Sequence, residues 1–354
     1  MLTLGRPLEP DSQEFGRLVQ GIVERARWSN DGPLVRQLEQ RAGDALGWPH
    51  TVAVSSGTSA LTTALLTLGL PRGAEVITTP LTFRATALAI EAAGLRPVFA
   101  AVDPDTLLLC PDAAEQAVGA RTGAILPVHL FGLAADPRFD DLAEAHGIPV
   151  VYDAAHTFDV TQGIAGRGTA TAYSLHATKL LHTGEGGLLC TRDEAVEERA
   201  RAIRNFGLAG QAGTGPGMNA KLSEVSAAVG LAMFDRLEEE IARRRQIRAA
   251  YTTALASSTS ARSHATGHVR SVVMEVIRCE PALQSQIVNE LAERGIAARV
   301  FPALTSVGEQ FHGASITGAT SAAIDALSRS VIALPIHGSV HDDHIDRIAE
   351  VLGF

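Results

Sequence analysis

The sequence predicts an α/β protein with a mostly parallel sheet, followed by a smaller second domain. From about residue 50 to 190, short apolar segments alternate with helix-like stretches, and this alternation is typical of parallel sheets with crossover helices. The apolar segments have no polar face, which indicates strands that are buried on both sides. The polar segment 257–263 interrupts the pattern, and 354 residues suit one large and one small domain.

The predicted elements of the first half alternate between strand and helix, as the α/β class requires. We predict strands at 51–54, 75–78, 97–100, 124–128 and 148–152. Between them we predict helices at 59–68, 85–93, 113–118 and 139–146, the first of which is rich in alanine and leucine.

The second half is less regular. Residues 207–217 are rich in glycine and suit neither a helix nor a central strand, so we predict a mobile loop. A long helix is expected from 221 to about 255. After the break we predict a strand at 269–278, a helix at 283–294, a strand at 296–301 and a helix at 340–352 that Ser339 caps.

The composition argues against several classes of protein. The net charge is −9 without a long basic segment, which disfavours nucleic-acid binding. Cys110, Cys190 and Cys279 lack metal-binding spacing, and an odd number of cysteines cannot all pair, so we interpret them as reduced thiols. No apolar run is long enough to span a bilayer, and the first residues lack the apolar core of a signal peptide. We therefore expect a cytoplasmic protein.

The segment around residue 340 offers a possible metal cluster. It contains His337, His341 and His344 together with Asp342 and Asp343. A helix is also predicted to start here, and acidic residues in a first turn interact favourably with the helix dipole. We favour helix capping over a metal site and predict no bound metal.

Residues 54–61 (Val-Ser-Ser-Gly-Thr-Ser-Ala-Leu) are typical of a strand, a turn of small residues and a helix start. Backbone N–H groups at a helix N-terminus bind phosphate, and the helix dipole favours the negative charge. Gly57 allows the backbone to approach closely, while Thr58 and Ser59 supply hydroxyl groups. An ordinary helix cap explains the same residues, and this segment alone does not decide between the two.

Two further residues suggest a cofactor. Asp153 follows the apolar segment 148–152, and Lys179 precedes the tight turn at 184–187. A carboxylate at the carboxyl end of a strand can keep a pyridine nitrogen protonated, and a partly buried lysine becomes a nucleophile. Pyridoxal phosphate (PLP) needs both groups from a protein. The alternatives are helix capping by Asp153 and a surface position for Lys179.

Two residues would complete such a site. Ser174 lies five positions before Lys179 and can supply another hydroxyl group to a phosphate. Phe83 follows a predicted strand at a helix start, where its ring is able to stack on a cofactor. A core position is the alternative for Phe83.

Taken together, these segments resemble the PLP-dependent sugar aminotransferases of the DegT/StrS type, which have the aspartate aminotransferase fold (fold type I). The resemblance covers about residues 28–240 and returns weakly at 334–337 and in the last helix. The matching segments are 55–61, 78–83, 127–132, 152–156, 174–179, 184–187 and 204–207. It implies a large domain (1–240) with an N-terminal helical arm and a central, mostly parallel seven-stranded sheet, and a small C-terminal α+β domain (241–354).

The resemblance also implies roles for single residues. Lys179 would bind PLP as a Schiff base, Asp153 would contact the pyridine nitrogen, and His156 would lie by the ring hydroxyl. Phe83 would stack on the ring, and Gly57, Thr58, Ser59 and Ser174 would surround the phosphate. In this family the segment similar to 217–222 reaches the other subunit's site. Asn219 and Lys221 are therefore candidate cofactor contacts across a homodimer.

Segments 174–187 and 219–224 look most similar to a branch that aminates C4 of dTDP-4-keto-6-deoxy-D-glucose with L-glutamate as donor. This resemblance implies an aminotransferase of nucleotide-linked keto sugars. The alternatives are amination of a keto-cyclitol such as scyllo-inosose, and a non-catalytic regulator that keeps the fold.

The sequence departs from the family pattern at a few places. Arg84 stands where small or apolar residues are usual, Asp159 replaces a glycine, and Gly168–Thr169 replaces a Gly-Asp pair. Residues 300–304 lack the histidine and tyrosine often found there. These departures concern the predicted contacts with the sugar and the nucleotide.

Overall fold

The computed structural model describes residues 1–353 except 210, 211, 214, 257, 266 and 307–309. Its strands are β1 (His50–Val54), β2 (Glu75–Thr78), β3 (Arg96–Ala100), β4 (Thr122–Ile125), β5 (Val151–Asp153), β6 (Ala170–Ser174), β7 (Gly187–Thr191), β8 (Leu208–Ala209), β9 (Ala212–Gly213), β10 (Ala261–Ser263), β11 (Glu275–Cys279), β12 (Ile316–Thr317) and β13 (Val331–Leu334).

Helices make up most of the remaining regular structure. They are α1 (Ser12–Arg25), α2 (Pro33–Leu46), α3 (Gly57–Thr67), α4 (Arg84–Ala92), α5 (Pro111–Gln116), α6 (Arg138–His146), α7 (Glu194–Arg204), α8 (Glu224–Leu231), α9 (Phe234–Leu255), α10 (Gln284–Glu293), α11 (Ser321–Ser328) and α12 (Asp342–Val351).

The central sheet has the order β1-β7-β6-β5 on one side and β4-β2-β3-β12 on the other. Parallel bridges from Ile125 to Val150 and from Val128 to Asp153 join the two halves. In this part of the structure β7 runs antiparallel to both of its neighbours, and the other pairs are parallel. The predicted mostly parallel seven-stranded sheet is confirmed, and the short β12 extends it at the outer edge.

The C-terminal part forms a smaller α+β layer. Strands β10, β11 and β13 pair antiparallel, and α12 packs against α9 and α10. The predicted boundary between residues 240 and 241 falls inside α9, and the division into 1–240 and 241–354 stays a prediction. Among the described residues no helix is both long and apolar enough to cross a membrane.

The predicted long helix from 221 is wrong in its first part. Lys221 pairs with Val54 in an antiparallel bridge, so the chain is extended there. Ser223 then caps α8 through its side chain, and α9 follows after a short interruption. The glycine-rich segment 207–217 contains the hairpin of β8 and β9, and its residues 210, 211 and 214 lie outside the described residues.

Three other predictions need correction. The strand at 269–278 is confined to β11, because Ser271 and Val272 turn aside to bind Asp159. The segment 296–301 forms no strand, because its isolated bridges join Ile296 to Leu2 and residue 299 to Ala333.

Ser339 does not cap the last helix. Its hydroxyl accepts a hydrogen bond from Arg6, and His341 is the N-cap residue of α12. The backbone N–H of His341 donates to Nδ1 of His344 at 3.1 Å. The predicted first-turn acids, Asp342 and Asp343, are present.

Helix α2 receives its N-terminal cap from a distant residue. Its own N-cap, Gly32, has no side chain to offer, and Pro33 carries no N–H. The Glu224 carboxylate accepts hydrogen bonds from the N–H groups of Leu34 (3.1 Å) and Val35 (2.9 Å). Glu224 is fully buried, so this contact fixes the helical arm against α8.

We predict that Glu224→Gln destabilises the protein by about 1–3 kcal/mol, because an amide satisfies only one of the two buried N–H donors. The urea midpoint of unfolding measures this effect. Glu238→Gln, at an exposed position of α9, is the matched control and should change stability by less than about 0.5 kcal/mol. Equal midpoints for the two variants would contradict the capping role.

Candidate active site

The loop between β1 and α3 combines both predicted features. Ser56 is the N-cap of α3, and its hydroxyl accepts from the N–H of Ser59 at 3.0 Å. Gly57 begins the helix against the end of β6, where an added Cβ would lie 2.9 Å from Cβ of Ser174. Thr58 is exposed beside them. The helix start is therefore capped, and Ser174 joins Ser56 and Ser59 at the helix N-terminus. A helix N-terminus with hydroxyl groups around it suits an anion.

Asp153 ends β5 in a buried position. One carboxylate oxygen accepts from the hydroxyl of Thr86 at 2.8 Å, and the other accepts from the N–H of Ala155 at 3.1 Å. Burial raises the pKa of Asp153, whereas these hydrogen bonds and the charge of Lys179 oppose the rise. No helix follows Asp153, so the alternative of a helix cap is wrong.

Lys179 lies in the connection from β6 to β7. Backbone hydrogen bonds from Ala177 to Gly184 and from Leu175 to Gly186 hold this connection as a tight hairpin. Burial lowers the pKa of Lys179 to about 8, the carboxylate of Asp153 raises it, and the guanidinium of Arg299 lowers it. The alternative of an ordinary surface lysine is therefore wrong.

His156 follows Asp153 by three positions, and Phe83 precedes Thr86, the hydrogen-bond partner of Asp153, by three. Burial lowers the pKa of His156 well below its usual value, with smaller effects from Lys179 and Arg299, so its imidazole is neutral. Phe83 is 63% exposed and precedes α4, the helix that carries Thr86. It is not a core aromatic residue, and a ring so exposed is available to a ligand.

Asn219 and Lys221 lie beside the loop 55–59 of their own chain. Lys221 pairs with Val54 at the end of β1, and its ammonium lies 4.3 Å from the centre of the Phe206 ring. Burial and the charge of Arg204 lower the pKa of Lys221. Asn219 is exposed, and its placement in a partner's site stays a prediction.

Sequence reasoning missed two residues of the site. Thr86 binds Asp153 from the first turn of α4, 67 positions away in the chain, and no local motif indicates this contact. Arg299 lies directly before segment 300–304, which departs from the family pattern. Its charge lowers the pKa of both Lys179 and His156. No described residue forms an ion pair or hydrogen bond with the guanidinium of Arg299, which contacts the Phe301 ring at 5.5 Å.

The residues present fit PLP. The chain contains two lysines: Lys179 interacts electrostatically with Asp153, and Lys221 pairs with Val54 directly before the loop 55–59. A buried carboxylate, an amine with a lowered pKa, an exposed aromatic ring and a helix N-terminus lined with serine hydroxyls are the groups that PLP requires. The individual contacts of these residues with the cofactor stay predictions.

Comparison with known proteins supports this interpretation. A model of the DegT/DnrJ/EryC1/StrS aminotransferase family matches residues 10–353. The spore coat polysaccharide biosynthesis protein SpsC of Bacillus subtilis (strain 168) is 39% identical over 255 residues, which are 67% of this chain and 66% of the relative. The dTDP-4-amino-4,6-dideoxy-D-glucose transaminase of Shigella dysenteriae is 34% identical over 238 residues, 66% of this chain and 64% of the relative. The matches thus span just under two thirds of these relatives.

Solved structures agree over the whole chain. DesI, crystallised in the presence of its TDP-sugar product, has a TM-score of 0.92 and 33% identity and covers 99% of this chain and 92% of its own. DesV of S. venezuelae, in complex with a ketimine intermediate, has a TM-score of 0.88 and 28% identity. The match covers 98% of this chain and 97% of the DesV chain. The predicted fold type I and the predicted resemblance are confirmed. The chain belongs to the DegT/DnrJ/EryC1/StrS aminotransferase family, whose members use PLP.

Proposed function

We propose that this protein is a PLP-dependent aminotransferase that moves the amino group of L-glutamate to a nucleotide-linked keto sugar. The first acceptor to test is C4 of dTDP-4-keto-6-deoxy-D-glucose. The observation that carries the proposal is the placement of Lys179 in the β6–β7 connection, within electrostatic reach of the buried Asp153 at the end of the neighbouring β5. The name of the Shigella relative and the TDP-sugar product of DesI support the choice of substrate class.

The cofactor would be held by three sets of residues. PLP supplies, when bound, a carbon that receives the amino group and a ring that takes up the electron pair of a broken C–H bond. The loop of Gly57, Thr58 and Ser59, with Ser174, would bind its phosphate. Asp153 would keep the ring nitrogen protonated, because the hydrogen bonds from Thr86 and Ala155 favour the charged carboxylate. Phe83 and His156 would orient the ring.

Lys179 would move the proton. A pKa of about 8 leaves about one tenth of the amine neutral at pH 7, far more than for an exposed lysine, so Nζ is able to accept a proton from the α-carbon of glutamate. The same atom would donate a proton to the acceptor carbon when the amino group is transferred to the sugar. The tight hairpin around Lys179 limits how far this amine travels between the two positions.

Arg299 would bind an anionic part of the substrates. Its guanidinium lacks an acidic partner among the described residues and acts electrostatically on Lys179 and His156. A free guanidinium is suited to a carboxylate or a phosphate, since it offers a planar set of donors. We assign it to the carboxylate of the amino donor.

A second copy of the chain would complete the site. Exposed apolar side chains occur at Trp28 (52%), Phe83 (63%) and Phe206 (56%), and the last two belong to or contact the candidate site. A homodimer would cover them and would bring Asn219 and Lys221 to the partner's cofactor. The free thiols are consistent with the reducing cytoplasm as the location.

The acceptor is tested by turnover. We predict that the PLP-loaded protein forms 2-oxoglutarate from L-glutamate in proportion to an aminated dTDP-sugar, measured by mass spectrometry. Lys179→Ala should lower the rate by about 10²–10⁴-fold or more, because it removes the proton-transferring group. Cys110→Ser, outside the site, is the control. Turnover of scyllo-inosose alone would overturn the nucleotide-sugar assignment, and PLP binding without any turnover would indicate a regulator.

The attachment site is tested by reduction. We predict that borohydride treatment of the PLP-loaded protein fixes the cofactor on the peptide that contains Lys179 and leaves Lys221 unmodified. The chain has only these two ε-amines, so a tryptic digest gives an unambiguous answer. Lys221→Arg should keep the label, whereas a label on Lys221 in the wild-type protein would refute the assignment.

The charges around Lys179 make a third prediction with a definite sign. In cofactor-free protein, labelling of Lys179 by an amine-selective reagent should follow a pKa of about 8. Asp153→Asn removes the charge that raises the pKa and should shift the profile to lower pH. Arg299→Gln removes a charge that lowers the pKa and should shift it to higher pH. Mass spectrometry reads the labelling, and shifts of the opposite sign would contradict the electrostatic description.

A further inference from the structure

Arg204 forms a buried cluster of hydrogen bonds at the end of α7. Its side chain is 5% exposed, and its Nη1 donates to the carboxylate of Glu39 and to the carbonyl of Ala53, both at 2.7 Å. Its Nη2 donates to Asp31 at 2.6 Å. Glu39 in turn accepts from the N–H of Ala53 at 2.8 Å. Both backbone groups of Ala53 are therefore fixed by this ion pair, two residues before the loop that begins at Ser55.

The backbone of Arg204 holds a second segment. Its carbonyl accepts from the N–H of Ala220 at 3.0 Å, and the carbonyl of Ala220 accepts from the N–H of Ser55 at 2.8 Å. Ala220 lies between Asn219 and Lys221. One arginine thus contacts the strand that leads into the loop 55–59 and, through its own carbonyl, the segment 219–221.

The chemistry of the cluster makes its geometry strict. A guanidinium presents donors in a fixed plane, and two carboxylates and a carbonyl occupy three of its directions. Replacing the arginine leaves the buried Glu39 (5% exposed) without one of its charged partners. The cost of burying these charges offsets much of their attraction, so we attribute to the cluster a role in fixing one arrangement of the two segments rather than a large net stabilisation.

We propose that Arg204, held by Glu39, is a positioning residue for the cofactor phosphate. It sets the distance between the loop that carries Thr58 and Ser59 and the segment that carries Asn219 and Lys221. The inference rests on the proposed function, in which both segments bind phosphate. Because the second segment is assigned to the partner's site, Arg204 also links the geometry of the two sites of a dimer.

The matched control lies three residues earlier in the same helix. Arg201 belongs to the same cluster and pairs with Glu39 at 3.0 Å and Glu197 at 2.7 Å. Its contact with β1 is to the carbonyl of Thr51 at 3.2 Å, farther from the loop, and no hydrogen bond joins it to the described part of the segment 218–221. Arg201→Gln therefore perturbs the cluster without releasing either phosphate-binding segment.

The experiment compares PLP with pyridoxal, which lacks the phosphate. Arg204→Gln should raise the Kd of PLP by about tenfold or more while the Kd of pyridoxal changes by less than about twofold; tenfold corresponds to about 1.4 kcal/mol. Arg201→Gln should leave both constants within about twofold of wild type. A general loss of structure would weaken both ligands alike, so the ratio of the two constants isolates phosphate positioning.

Each outcome has a defined meaning. If Arg204→Gln does not form the wild-type oligomer, Arg204→Lys, which keeps the charge but not the planar set of donors, is measured instead and should show a smaller rise in the same ratio. If a folded Arg204 variant keeps the wild-type ratio of the two dissociation constants, the inference is overturned. It is also overturned if neither variant assembles, because that result shows a purely structural role. If wild-type protein itself does not prefer PLP over pyridoxal, the proposed function fails rather than this inference.

Discussion

The site depends on the balance of charge between Asp153 and Lys179. Burial alone would neutralise both groups, since it raises the pKa of a carboxyl and lowers that of an amine. Hydrogen bonds from Thr86 and Ala155 favour the carboxylate, and the carboxylate in turn partly restores the proton affinity of the amine. The two groups therefore keep distinct properties beside each other: a carboxylate that its hydrogen bonds favour, and an amine whose pKa is lowered to about 8.

The sheet topology explains why these groups meet. Parallel strands end at the same edge of a sheet, so β1 and β5 present the loop 55–59 and Asp153 on one side. The antiparallel β7 follows β6 through a tight hairpin, and that hairpin returns Lys179 to the same edge. A crossover helix in its place would start farther away, so the one antiparallel strand of this half-sheet is what confines the amine.

Much of the first half was predictable because its signals are local. The strand at 51–54, the small residues at 55–59 and the apolar segment before Asp153 all lie within a few residues of the groups that they position, and the structure places those elements within three residues of the prediction. The extended segment before α8 was not predictable, because Lys221 leaves the helical pattern to pair with Val54, far away in the chain.

The residues that sequence reasoning missed share one property. Thr86 reaches Asp153 across 67 positions, Glu224 reaches Leu34 across 190, and Arg204 reaches Glu39 across 165. Periodicity and short motifs report contacts along one element, whereas these side chains satisfy buried groups of another. Such contacts follow from the tertiary packing and have no signature in a single sequence.

The departures from the family pattern separate into two kinds once their surroundings are known. The carboxylate of Asp159 accepts from the hydroxyl of Ser271 and from the N–H of Val272, and Ser271 also donates its own N–H to the carbonyl of Gly132. Asp159 is therefore compensated within the chain, where it ties the turn after Asp153 to the C-terminal part.

Arg84 is the opposite case. It is exposed beside Phe83 at the start of α4, and no described residue forms an ion pair or hydrogen bond with its side chain. A charge without an internal partner at the edge of a binding site is available to whatever enters that site. We therefore expect the identity of the acceptor to depend more on Arg84 than on Asp159, since a departure that the fold already satisfies leaves nothing for the substrate to recognise.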